Sequence, residues 1–119
     1  MYKFFFEIIK FAFFIFLVDL IYLSTAGQYA MKMTENIQNN PVKFRFLSCI
    51  IVYIALGYML SQTTSYQQAF LYGISIYAVY DFTNYALFEK YDWKFAIIDT
   101  LWGGILFTIM HYIKIKVLT

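Results

Sequence analysis

Four apolar runs, at about 4–23, 44–60, 69–88 and 93–113, are each close to the roughly 20 residues a helix needs to cross a bilayer. That repetition leaves the chain few folds to choose from. Polar stretches separate the runs: 28–43, then SQTTSYQQ at 61–68, then EKYD at 89–92. The last two are so short that the helices they join must return antiparallel. A water-soluble alternative fails on composition. With 14 Phe, 12 Tyr and a hydrophobic fraction of 62% in 119 residues, a small globule would expose more apolar surface than water tolerates. The expectation is therefore an all-α fold, a single domain over 1–119 built as an integral membrane bundle of four antiparallel transmembrane helices.

The first run raises a competing reading, because Lys3 precedes an apolar stretch that ends in small residues, as in a cleavable signal. Its length, and the presence of Glu7 and Asp19 within it, favour a span. Gly27 is expected to close this helix in a left-handed conformation. In the 28–43 connector, Tyr29, Met33 and Ile37 recur every four residues, a weak signal for a short interfacial helix. Four crossings would set Lys3, Lys10, Lys114 and Lys116 on one side against Lys32, Lys43, Arg45, Lys90 and Lys94 on the other. That balance gives no orientation. The net charge of +2 suits anionic headgroups, and no basic cluster dense enough for nucleic acid is present. Cys49 stands alone in an apolar run and is expected to be a small core residue, and His111 a hydrogen-bonded or snorkelling side chain near a span end rather than a metal ligand.

Charge is scarce, 13% of residues, yet three aspartates stand inside the apolar runs. An aspartate at the centre of a span costs roughly 2.5–3.5 kcal/mol, so each needs a partner or a purpose. Counting about 1.5 Å per residue from the nearest turn places Asp19, Asp81 and Asp99 roughly 6–11 Å below one membrane surface. Asp81 is the deepest and the favoured one to hold a proton near neutral pH. Asn84, Tyr77 and Tyr85 share a helical face with Asp81, Trp102 and Gly103 share one with Asp99, and Tyr22 follows Asp19 by three residues. The candidate intramembrane site is thus Asp19, Tyr22, Asp81, Asn84, Tyr85, Asp99 and Trp102, lying between spans one, three and four. Asp81 and Asp99 are expected to converge, with Asp19 joining them.

The elements VDLIYL at 18–23, YDFTNYALF at 80–88 and IIDTLWGGIL at 97–106 resemble those of the small four-span membrane proteins catalogued as domain of unknown function 2177. The resemblance covers essentially the whole chain and falls on Asp19, Tyr80, Asp81, Thr83, Asn84, Asp99, Trp102 and Gly103. It implies a four-span fold and a bacterial inner membrane, with no assigned activity. The longer polar connector and the Phe/Tyr-rich spans depart from the family pattern and admit a large DNA virus as the source.

Three functional readings follow. The first is a layer that binds a cation, a proton or a small polar ligand and opens to one side, with a second copy needed for any transport. The second is a structural or assembly protein whose aspartates only hold helices together. The third is an intramembrane enzyme in which two aspartates share a proton, although no Ser/His, Cys/His or HExxH arrangement supports it. No catalytic residue, metal ligand or cofactor is assigned. The expected partners are the bilayer, a cation or proton and a second copy of the chain, with no nucleic acid.

Overall fold

The computed structural model describes residues 2–118. They form five helices, with no strand among the described residues: α1 (Tyr2–Leu23), α2 (Ala26–Gln38), α3 (Phe46–Ser61), α4 (Tyr66–Leu87) and α5 (Trp93–Lys116). The all-α expectation holds, and the helix count rises from four to five because the polar connector folds. Its four-residue spacing sets Met33 against Tyr91, Phe95 and Ala96, with Ala30 and Ile37 alongside. Burying that stripe is what makes a short polar segment helical.

The ends of the helices have local causes. At the end of α1, Ser24 Oγ donates to Ile21 O at 2.8 Å and Thr25 Oγ1 to Tyr22 O at 2.9 Å, so two terminal carbonyls are satisfied by hydroxyls. Gly27 is therefore not a left-handed cap. No glycine has a positive φ, and Gly27 lies in the first turn of α2. The left-handed position is Asn39 (φ 59°), whose amide bonds Glu35 O at 2.8 Å and ends α2. Ser65 caps α4 by accepting from Gln68 N at 3.1 Å, which starts that helix three residues before the expected 69. Asp92 caps α5 by accepting from Lys94 N at 2.9 Å.

α5 is long and apolar enough to cross a membrane. α3 is apolar but only 16 residues long, about 24 Å, and α1 carries Glu7, Lys10 and Asp19. The most extensive pairing is α4 with α5, then α1 with α3, and α5 bridges the two pairs by touching both α1 and α3. Glycines set both close approaches. A Cβ on Gly57 would lie 2.6 Å from Ile8 O of α1, and one on Gly73 would collide with Gly103 O of α5. Between the pairs, Phe11, Ile15, Leu60, Leu106, Phe107 and Met110 are each at most 1% exposed and form a solid apolar plug. Outside, Phe46, Val79 and Leu87 are 70% exposed or more, a surface suited to hydrocarbon, and Cys49 of α3 is exposed too and is therefore not a core residue.

Candidate functional site

The three aspartates are buried on three different helices, at 5% exposure for Asp19, 0% for Asp81 and 7% for Asp99. Asp19 is fully engaged. Its Oδ2 accepts from Tyr53 OH at 2.6 Å and its Oδ1 from Trp102 Nε1 at 2.9 Å, which ties α1 to α3 and to α5. Tyr22, one turn further along α1, stacks flat on Trp102 with ring centroids 4.8 Å apart and planes 3° off parallel.

Asp81 is differently placed. Its Oδ1 accepts from Tyr91 OH at 2.6 Å, while its Oδ2 is buried and makes no hydrogen bond. Asp99 and Thr100 of α5 neighbour it without completing a bond of normal geometry. Asp99 also acts on Tyr22 and, more weakly, on Asp19, so the three acids lie within one electrostatic neighbourhood. The buried Tyr22 OH and Thr100 Oγ1 likewise have no partner. Three unsatisfied polar atoms around two facing carboxyls are expensive, since each orphaned buried group costs about 1–3 kcal/mol.

The remaining candidates separate. Asn84 is half-buried and interacts with Tyr80 and Tyr91 at the edge of the layer. Tyr85 is 45% exposed and makes no hydrogen bond to the three aspartates. Tyr77 packs instead at the Gly103 crossing. Sequence reasoning missed Tyr53, Tyr91 and Thr100. Tyr91 carried a faint signal as the lone aromatic of the EKYD turn. Tyr53 carried none, since only the packing of α3 on α1 brings it to Asp19.

Above the layer, α2 is fastened to the α4–α5 turn. Tyr29 OH donates to the Asp92 carboxylate, Asp92 N to Met33 Sδ at 3.3 Å, and Lys90 Nζ to Asn36 O at 3.3 Å. The Tyr29 hydroxyl holds Asp92 below its ordinary carboxyl range, and in turn its bond to Asp92 holds Tyr29 above the ordinary phenol value. At the far end of α5, beyond the plug, His111 is 4% exposed with Nδ1 2.8 Å from Thr63 Oγ1, so it is hydrogen-bonded within the protein. Lys114 Nζ donates to Leu60 O at 3.0 Å and Thr63 O at 2.7 Å, placing a cation on the C-terminal carbonyls of α3. No group of three or more His, Cys, Asp or Glu side chains converges in metal-holding geometry among the described residues.

Helices with apolar outer faces and three aspartates, Asp19, Asp81 and Asp99, buried between them are of the class suited to a lipid solvent. The chain belongs to the family described as predicted membrane protein DUF2177, whose model matches residues 2–115. Comparison with curated proteins and with solved structures gives no match.

Proposed function

We propose that this is a four-span integral membrane protein, with α1, α3, α4 and α5 crossing the bilayer and α2 in the interface, whose Asp81–Asp99 pair binds a proton. The observation that carries this reading is the buried, unpartnered Asp81 Oδ2 facing a second carboxyl. Two apposed acids without a cationic partner are stable together when a proton lies between them, as in carboxylate dyads. The hydroxyls of Tyr22 and Thr100 stand ready to bond whichever oxygen the proton leaves bare. Access is from the α2 side. In the other direction the apolar plug separates the layer from His111, which lies twelve residues, about 18 Å, along α5 from Asp99. A proton bound at a dead end suits sensing or coupling rather than conduction through one chain.

The structural reading has its own support in Asp19, whose two bonds are complete and need no ligand. Asp19 is accordingly an anchor and the Asp81–Asp99 pair the site. A pair that carries its proton only when folded stabilises the protein at low pH and loses that contribution as rising pH removes the proton. Thermal unfolding in detergent from pH 5 to 8 should therefore show wild-type stability falling with pH. Asp81→Asn, nearly isosteric with the protonated acid, should give a flat profile, and Asp81→Leu should lose about 1–3 kcal/mol at every pH through the unsatisfied partners. Flat profiles for both wild type and Asp81→Asn would reduce the layer to helix-to-helix glue.

A further inference from the structure

We infer that Tyr91, at the α4–α5 turn, is the group through which a proton enters and leaves the Asp81–Asp99 pair, an inference that rests on the pair binding one. Asp81 retains no exposure, so a proton reaches it only by way of a neighbour. Its one side-chain hydrogen bond among the described residues comes from Tyr91 OH, at 2.6 Å to Oδ1. The other polar neighbours, Asp99 and Thr100, belong to α5 within the layer, whereas Tyr91 reaches in from the turn. Tyr91 is 6% exposed, and half-buried Asn84, three residues nearer the turn than Asp81, acts on the same hydroxyl. Exposure therefore rises stepwise from Asp81 through Tyr91 to Asn84, in the direction away from the apolar plug.

A phenol suits this place because its hydroxyl donates and accepts at once. A hydronium ion on the Asn84 side gives its proton to the Tyr91 oxygen, forming a new O–H bond, as the original O–H bond breaks and that proton passes to Asp81 Oδ1. The hydronium ion becomes water and Tyr91 ends as the neutral phenol it was. Release runs the same steps backwards. Burial, and after it the bond to Asp81, holds Tyr91 above the ordinary phenol range, so the ring hands protons on without storing charge. The other titratable group acting on Tyr91 is Tyr80 of α4, and the rest of its packing, Met33 of α2 with Phe95 and Ala96 of α5, is apolar. No cation stands beside the phenol to hold it ionised among these neighbours.

Infrared spectra of the full chain in phosphatidylcholine nanodiscs near neutral pH should contain the carbonyl stretch of a protonated carboxyl, absent in Asp81→Asn. A jump into heavy water should shift that band as the proton exchanges. In Tyr91→Phe the exchange should slow by about a hundredfold, the low end for a positioned proton-transfer group. The direction separates relay from packing, since losing a tyrosine that only filled space would loosen the site and hasten exchange. Exchange in Tyr91→Phe as fast as in the wild type, or faster, would overturn the inference and leave Asp99, which retains 7% exposure, as the way in. A second measurement needs no variant to fold: with isotope-labelled tyrosine at position 91 alone, the phenol should exchange before the carboxyl or together with it. A carboxyl that exchanges ahead of that phenol would equally overturn the inference. A wild type with no protonated-carboxyl band removes the proton-binding reading itself, an outcome distinct from either of these.

Discussion

At the residue scale, glycines and aspartates do opposite work. Gly73 and Gly103 remove side-chain volume so that α4 and α5 meet backbone to backbone, and that closeness leaves Asp81 of α4 beside Asp99 of α5. Gly73→Ala should cost roughly 1–3 kcal/mol in equilibrium unfolding, because its Cβ would run into a backbone carbonyl that cannot yield without separating the helices. Gly27→Ala is the matched contrast. Its Cβ meets Leu23 at an ordinary 3.5 Å inside a helix, so stability should rise by up to about 1 kcal/mol. If the two substitutions cost the same, close approach is not what fixes the α4–α5 crossing. The glycines could be picked out from the sequence at 73, 103 and 104, but their pairing could not. Which turn of α4 faces which turn of α5 depends on a helix register that no single residue states.

At the element scale, α2 is the helix whose existence rests most on a neighbour. Its residues are polar enough to be read as a connector, and it becomes a helix by laying Met33 over Tyr91, the residue that in turn bonds Asp81. A latch between Tyr29 and Asp92 keeps it there, and the latch has a pH window. Asp92 titrates below its ordinary 3.8 when folded, so its contribution is present above that value and is lost as pH falls through the lowered one. Tyr29 titrates above its ordinary 10.0, so its contribution is present below that value and disappears as pH rises through the raised one. Both groups are exposed, so salt should weaken the latch. Amide hydrogen exchange should find α2 protected between these limits, with protection lost first in α2 at either extreme and reduced throughout by Tyr29→Phe. Exchange in α2 that ignores both pH and this substitution would show that the Met33 contact alone holds the helix.

At the scale of the whole molecule, four crossings require both termini on one side of the membrane. Tags at the two ends, probed by protease in sealed vesicles, should be protected or cleaved together, and opposite fates would remove the four-span arrangement. The sequence by itself determined the element type and the family. Long apolar runs interrupted by short polar turns read as helices, and the patterns around Asp19, Asp81 and Asp99 marked the family. Tertiary structure decided which acids were finished and which were open. Asp19 and Asp81 look alike along the chain, but Tyr53 arrives from α3 and Trp102 from α5 to complete the first, while the second faces another carboxyl across α5. The difference lies in side chains 34 and 83 residues away in sequence, brought together by helix packing. Local periodicity records which face of a helix is polar, but carries no information about what that face will meet.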